Sequence, residues 1–167
     1  HPDLQKYYTP FTLAAPLIST VAGIKFNNFL FQFLKRKKIK GFKNEVVQVP
    51  SKSSETLIRT RIFSPENQTK NLPCIIFNHG GGYLMGNPEQ FLFIIEKFLQ
   101  ARPCVLIAPD YRMSLEAPYP AAFNDCYDTL LWAKENAEKL QINPDQFIIA
   151  GHSAGGGLTA ADRKSTR

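Results

Sequence analysis

A serine between two glycines stands directly after an apolar run, in the segment Gly151-His152-Ser153-Ala154-Gly155. This G-x-S-x-G pattern is typical of a nucleophile elbow, a strained strand-to-helix turn that exposes the serine Oγ at the edge of a sheet. The glycines let strand and helix approach closely, and the N-terminus of the helix places positive potential beside a developing oxyanion. Purely structural glycine-rich turns have the same pattern, so on this pattern alone Ser153 is a candidate nucleophile.

A second glycine cluster, His79-Gly80-Gly81-Gly82, follows another apolar run. Glycines leave backbone N–H groups accessible, and each such donor aimed at a tetrahedral oxyanion typically contributes about 3 kcal/mol to transition-state stabilisation. A phosphate-binding loop needs a lysine after its glycines, and Tyr83 stands there instead. The two clusters together predict a serine hydrolase, in which one turn carries the nucleophile and the other carries oxyanion donors.

The sequence predicts three short buried strands, at residues 74–77, 104–108 and 147–150. Their near-continuous hydrophobicity is typical of strands covered on both faces in a parallel sheet. Helical periodicity over residues 88–101 and 120–140 separates the strands, and Asn143-Pro144-Asp145 predicts a turn before the last one. Because strands and helices alternate, the predicted fold class is α/β.

The N-terminal part of the chain has different periodicities. Apolar residues at spacings of three and four predict one or two amphipathic helices over residues 17–34, and the basic residues of 35–43 are typical of a helix C-terminus. Two β-branched runs at residues 46–49 and 57–63 predict an antiparallel hairpin. The expected sheet is therefore mostly parallel, with an antiparallel hairpin at its N-terminal side.

Four motifs between residues 74 and 158 carry a family resemblance. They are His79-Gly80-Gly81-Gly82, Asp110-Tyr111-Arg112, Ala117-Pro118-Tyr119-Pro120-Ala121-Ala122 and Gly151-His152-Ser153-Ala154-Gly155-Gly156. In this order they resemble the hormone-sensitive-lipase family of α/β-hydrolases, which includes many microbial esterases and acetyl hydrolases. The resemblance implies an α/β-hydrolase fold with Ser153 as nucleophile. It also implies an oxyanion hole made by the backbone N–H groups of Gly81, Gly82 and Ala154.

The resemblance further divides the chain into two parts. Residues 1–44 are expected to form a helical cap segment, and residues 45–167 the N-terminal part of the catalytic domain. Two departures from the family pattern are His152, where members usually have Asp, and Met113-Ser114-Leu115, where Leu-Ala-Pro is usual. The second departure leaves the shape of its loop open.

The sequence does not supply the partners of Ser153. In this fold an Asp or Glu and then a His follow the nucleophile, yet only residues 154–167 follow Ser153 here. We therefore expect a chain truncated after the elbow, with the catalytic Asp and His beyond Arg167, and we do not expect His79 or His152 to act as the base. Alone, such a chain should be nearly inactive and poorly folded, because it exposes an unpaired sheet edge.

The expected reaction is hydrolysis of a short-chain carboxylic ester by a Ser-Asp-His acyl-enzyme mechanism. Two alternatives remain open from the sequence. The same groups cleave amides or formamides, and the resemblance extends to plant hormone receptors that keep the elbow serine but lack the triad histidine. The partner is a small-molecule ester, and the chemistry requires no cofactor; no Cys/His spacing suggests a metal.

The formal net charge of +6 is unevenly distributed, since six of the 20 basic residues lie within residues 35–43. The body of the domain is near neutral, so we expect no nucleic-acid partner. The basic cluster is either a solvated helix end or part of a weak contact between residues 17–43 and an anionic membrane surface. The three cysteines are expected to be reduced and structural, which together with the lack of a clear leader favours a cytoplasmic location.

Overall fold

The computed structural model describes residues 12, 15, 18–67 and 71–165. In chain order the elements are α1 (Val21–Gln32), β1 (Phe42–Pro50), β2 (Leu57–Pro65), β3 (Leu72–Asn78), α2 (Leu92–Ala101), β4 (Val105–Pro109), α3 (Ala121–Glu135), β5 (Ile142–Gly151) and α4 (Ala154–Ser165). Short 3-10 helices at Phe33–Arg36 and Pro88–Phe91 follow α1 and precede α2. The strands form one sheet in the order β1-β2-β4-β3-β5.

The predicted antiparallel hairpin is confirmed. β1 pairs with β2 along its whole length, from Phe42 opposite Pro65 to Pro50 opposite Leu57. β2 continues antiparallel onto β4, so the hairpin is joined to the parallel strands through its second strand. The buried Asp128 of α3 accepts hydrogen bonds from the hydroxyl of Ser51 at 3.0 Å and from the backbone N–H of Lys52 at 2.8 Å, which fastens the hairpin loop to a helix.

All three predicted strands are present and parallel, but only the first two are buried. β5 is an edge strand, and its residues 147–150 are half-buried or exposed, so the expected burial on both faces is wrong there. β3 lies between β4 and β5 and is parallel to both. All five residues of β4 are buried, which explains why its sequence is apolar without alternation. The turn predicted at residues 143–145 lies inside β5, where it interrupts the regular pairing with β3. Leu72 pairs with Ile142 and Cys74 pairs with Phe147, so the register shifts between these two pairs.

Two apolar layers cover the two faces of the sheet. Because side chains alternate across a strand, neighbouring residues of β2, β3 and β4 contribute to opposite layers. In one layer, Ile95 and Leu99 of α2 pack against strand residues that include Phe63, Phe77 and Leu106. In the other layer, Leu130 and Ala133 of α3 pack against strand residues that include Ile62, Ile76 and Ile107. The architecture is therefore helix, sheet, helix, and the predicted α/β class is confirmed. Cys74, Cys104 and Cys126 are buried and form no disulfide with one another, as expected of structural thiols.

Helix α1 makes few buried apolar contacts with the rest of the protein. The side chain of Thr20 caps its N-terminus by accepting the N–H of Gly23 at 3.1 Å, and of its residues only Gly23 and Ile24 are buried. Of the one or two helices predicted over 17–34, α1 covers residues 21–32 and a 3-10 turn follows it, while a bend at Thr20 separates α1 from the helical residues 18 and 19. Leu17 and part of the predicted cap segment lie outside the described residues. In the described ranges no helix has both the length and the hydropathy of a bilayer span.

Helix α3 is shorter than predicted. It ends at Glu135, and Leu140, expected on its buried stripe, lies in the turns that follow and packs against the core from there. The buried face of α3 also carries two carboxylates, Asp125 and Asp128, which periodicity alone did not predict.

Candidate active site

The two glycine clusters lie side by side at one edge of the sheet. Asn78, the last residue of β3, pairs with Gly151, the last residue of β5, so the turns that follow these parallel strands are neighbours. The backbone N–H of His152 donates to the carbonyl of Asn78 at 3.1 Å. A Cβ built on Gly80 would lie 2.8 Å from Nδ1 of His152, so the two turns are in direct contact and glycine is required between them.

The turn at Ser153 has the geometry of a strained elbow. Ser153 has a φ of 52°, in the left-handed region that non-glycine residues rarely adopt, and its side chain is exposed. A Cβ on Gly151 would lie 2.2 Å from the carbonyl oxygen of Gly155, and one on Gly155 would lie 2.1 Å from that of Asn78. The flanking glycines therefore permit a close approach of strand, turn and helix that holds Ser153 outward.

The turn at Gly81 and Gly82 fixes the direction of a backbone donor. The carbonyl of Gly81 accepts the N–H groups of Leu84 at 3.1 Å and Met85 at 3.0 Å. In a trans peptide the C=O and N–H point in opposite directions, so these bonds aim the N–H of Gly82 away from the turn. Gly81 has a φ of 128°, and a Cβ there would lie 1.7 Å from the carbonyl oxygen of Met85, which excludes any other residue.

The buried imidazole of His79 orients the peptide between Gly80 and Gly81, also through a hydrogen bond to its carbonyl oxygen. Its Nδ1 lies 2.8 Å from the carbonyl oxygen of Gly80. That oxygen can only accept, so Nδ1 carries the proton, and the N–H of Gly81, in the same trans peptide, points away from the ring. Burial lowers the pKa of His79, which keeps the ring neutral. Tyr111 stacks on the imidazole at 4.1 Å between centroids and donates its hydroxyl to the carbonyl of His79 at 2.8 Å.

Three backbone donors near the elbow are available. Among the described residues, no acceptor binds the N–H groups of Gly81, Gly82 or Ala154. Ala154 is the first residue of α4, where unsatisfied N–H groups and the helix dipole favour negative charge. The fold therefore brings all four predicted site residues, including Ser153, to one end of the sheet.

The Asp110-Tyr111-Arg112 motif supports this edge of the sheet. Arg112 binds the buried carboxylate of Asp125 in α3 through its backbone N–H at 2.9 Å and its guanidinium at 2.7 Å. The carboxylate of Asp110 forms an ion pair with Lys35, with 2.8 Å between Oδ2 and Nζ. Sequence reasoning missed Asp125, although a usable signal existed: it precedes Thr129 and Ala133 at spacings of four, on the buried stripe of its helix.

A second buried ionic group was also missed. Glu89, in the turn before α2, is buried and binds Arg59 at 2.5 Å and Arg61 at 2.6 Å, both from β2. Burial alone would raise the pKa of Glu89, but hydrogen bonds and charges from the two arginines outweigh it and lower the pKa. No sequence pattern joins residues so far apart, so this cluster is a product of tertiary structure.

An open cavity of about 800 Å³ flanks the elbow helix. Its lining is largely apolar and includes Tyr83, Tyr119 and Phe123, together with Gly157 and Leu158 of α4. A Cβ on Gly157 would lie 2.5 Å from the Tyr83 hydroxyl, so glycine there admits the tyrosine beside the helix. The cavity thus adjoins Tyr83, the residue after the glycine turn, and the helix that follows Ser153.

Comparisons with known proteins agree with this geometry. The sequence profile of the alpha/beta hydrolase fold matches residues 75–162. An arylesterase of Saccharolobus solfataricus is 37% identical over 101 residues, 60% of this chain and 33% of its own. Arylacetamide deacetylase of Bos taurus is 30% identical over 159 residues, 87% of this chain and 38% of its own. The structure of an esterase from Pyrobaculum calidifontis superimposes with a TM-score of 0.74 at 26% identity, over 90% of this chain and 48% of that one.

The chain spans about a third of the length of these curated relatives and about half of the solved esterase. The matched profile nevertheless covers more than half of this chain and includes both glycine turns. The strained turn at Ser153 is the nucleophile-elbow geometry of this fold. The chain therefore belongs to the α/β-hydrolase fold family, as the resemblance to its hormone-sensitive-lipase members implied.

Proposed function

We propose that the full-length protein hydrolyses short-chain carboxylic esters with Ser153 as nucleophile. The observation that carries the proposal is an exposed serine at φ 52° beside three backbone N–H groups without acceptors in the described part of the chain. Ser153 Oγ attacks the ester carbonyl, and its proton passes to a histidine. The N–H groups of Gly81, Gly82 and Ala154 stabilise the oxyanion, the alcohol leaves with the proton, and water releases the acyl group.

The proposed triad is completed outside this sequence. The two described histidines are unsuited to activate Ser153, because the ring of His79 is buried against Tyr111 and His152 is the residue adjacent to the nucleophile in the elbow. We place the catalytic Asp and His beyond Arg167. The chain order Ser, Asp, His that this requires is the usual one in the fold.

The proposed substrate class follows from the cavity and the relatives. An apolar cavity beside the helix that follows the elbow suits the acyl or alcohol group of an uncharged ester. Relatives are named arylesterase and carboxylesterase, which supports esters. The bovine relative is named arylacetamide deacetylase, so amides form the second substrate class to be tested.

The decisive experiment uses the full-length protein, a fluorophosphonate probe and p-nitrophenyl acetate. We expect probe labelling and ester hydrolysis by the wild type, and loss of both in Ser153→Ala with an unchanged melting temperature. A folded wild type that is neither labelled nor active would identify a non-catalytic binder instead of an enzyme. Comparing p-nitrophenyl acetate with p-nitroacetanilide then decides between esters and amides.

The exposed face of α1 favours a second, ancillary role as a contact for anionic membrane surfaces. Phe26 and Phe29 of α1 are 51% and 60% exposed, Phe33 of the 3-10 helix after it is 69% exposed, and the basic residues of 35–43 come next. Aromatic side chains with adjacent cations are typical of interfacial helices. We expect the full-length protein to sediment with phosphatidylserine vesicles at low salt and to be released at high salt. Absence from the pellet at low salt would remove this role.

A further inference from the structure

Helix α1 reaches the glycine turn through a single amide side chain. Asn28 donates from Nδ2 to the carbonyl of Leu84 at 2.9 Å and accepts the backbone N–H of Gly86 on Oδ1 at 3.1 Å. One partner is an acceptor and the other a donor, so only one orientation of the amide satisfies both. The two bonds clamp residues 84–86 from both ends.

The clamped residues are those that orient a proposed oxyanion donor. Leu84 and Met85 donate to the carbonyl of Gly81, and this aims the N–H of Gly82 in the opposite direction. If residues 84–86 move, the peptide between Gly81 and Gly82 is free to rotate. Both glycines have positive φ and no side chain, so little else restrains that rotation.

Other contacts hold the same segment but do not replace Asn28. The carbonyl of Tyr83 accepts the N–H of Ser114 at 2.8 Å, which fixes the segment at its start. Asn87 donates to the carbonyl of Phe31 at 2.8 Å, which joins α1 to the end of the loop without touching residues 84–86. Asn28 is thus the described side chain that holds the middle of the loop from α1.

We propose that Asn28 is a positioning residue for the reaction: it holds residues 84–86 so that the Gly82 N–H points at the substrate oxyanion. The inference rests on the proposed esterase function. It assigns α1 a part in catalysis that neither its apolar face nor the sequence motifs indicate. Few residues of α1 are buried, so apolar packing contributes little to its position. The two hydrogen bonds of Asn28 therefore couple the position of α1 to the shape of the oxyanion loop.

The test compares Asn28→Ala and Asn28→Asp in the full-length protein, with Lys25→Gln on the exposed side of the same helix as the matched control. Alanine is a better helix former than asparagine, so Asn28→Ala does not weaken α1 itself. We expect kcat for p-nitrophenyl acetate to fall about 10- to 100-fold in Asn28→Ala with KM changed less than about threefold, since one oxyanion donor is misaligned. Asn28→Asp keeps the acceptor for Gly86 but places a carboxylate oxygen against the carbonyl of Leu84, so we expect its kcat to fall at least as far as that of Asn28→Ala.

Hydrogen exchange of the peptide covering residues 80–87 gives a second readout that does not depend on activity. We expect faster exchange in Asn28→Ala, because the N–H of Gly86 loses its acceptor, and wild-type exchange in Lys25→Gln. An unchanged kcat in Asn28→Ala, or a fall shared equally by Lys25→Gln, would overturn the proposal. If the wild type hydrolyses no ester and is not labelled by the fluorophosphonate, the proposed function fails. The exchange measurement still tests the clamp in that case: unchanged exchange in Asn28→Ala overturns the clamp, and faster exchange supports the clamp.

Discussion

At the scale of single residues, the two glycines of the oxyanion turn are not equivalent. Both have positive φ, 128° at Gly81 and 64° at Gly82, but their surroundings differ. A Cβ on Gly81 would overlap the backbone of Met85, whereas a Cβ on Gly82 would meet nothing within 4 Å. Alanine at either position introduces backbone strain, but only alanine at Gly81 also collides with the backbone of Met85. Comparing the two variants therefore separates the effect of strain from that of the collision.

We expect Gly81→Ala to lower kcat of the full-length protein by about 100- to 1,000-fold, the loss typical of one oxyanion donor, because the turn must rearrange to admit the methyl group. Gly82→Ala should cost about 1–2 kcal/mol of left-handed strain and retain more activity, since space is available. Kinetics with p-nitrophenyl acetate and melting temperatures measure both effects. Equal kcat in the two variants would show that the contact between Gly81 and Met85 does not control the hole.

At the scale of elements, residue type and hydrophobic period predicted the features that depend on neighbouring residues in the chain. The glycine turns, the hairpin and the three apolar strands follow from residue type and period, and all are present. The burial expected for residues 147–150 is wrong, because an apolar run does not show whether its strand lies inside the sheet or at its edge. The pairing of Glu89 with Arg59 and Arg61 could not be predicted, because it joins a turn to a strand about 30 positions away and has no local signal. Likewise, periodicity located the apolar face of α1 but gave no information on what contacts it.

The ionic cluster around Glu89 ties the turn before α2 to β2. Removing the carboxylate leaves two arginines without their buried partner, so we expect Glu89→Gln to destabilise the protein by about 3–5 kcal/mol near neutral pH. The exposed pair Lys52–Glu135 supplies the control, since solvent screens it and Glu135→Gln should leave the stability nearly unchanged. Urea unfolding monitored by tryptophan fluorescence measures both.

The pH dependence of the Glu89 effect has a definite sign. The pKa of Glu89 is lowered in the folded protein from its ordinary value of 4.5, so its contribution is complete above that pH and is lost as the pH falls through the folded value. The stability difference between wild type and Glu89→Gln should therefore shrink on acidification below about pH 4.5. A difference that stays constant down to pH 3 would mean that the carboxylate is not paired as described.

At the scale of the whole molecule, the sheet ends in two unlike edges. β1, at one edge, carries Lys43 and Glu45 and ends in Pro50, which are residues that discourage pairing with another chain. β5, at the other edge, contains the uncharged run Phe147-Ile148-Ile149-Ala150. Within residues 18–67 and 71–165 no strand pairs with the outer side of β5. The outer side of β5 is thus an apolar pairing surface without a described partner.

This difference predicts how the 167-residue chain behaves on its own. Ile148 is 56% exposed on β5, and we expect the isolated chain to self-associate at micromolar concentration through this edge. Ile148→Lys should shift the population toward monomer in sedimentation velocity. Val46→Lys changes a residue that is 52% exposed on the charged edge strand β1 and should leave association unchanged. If the unmodified chain sediments as a monomer, or if both variants dissociate it equally, the β5 edge is not the contact.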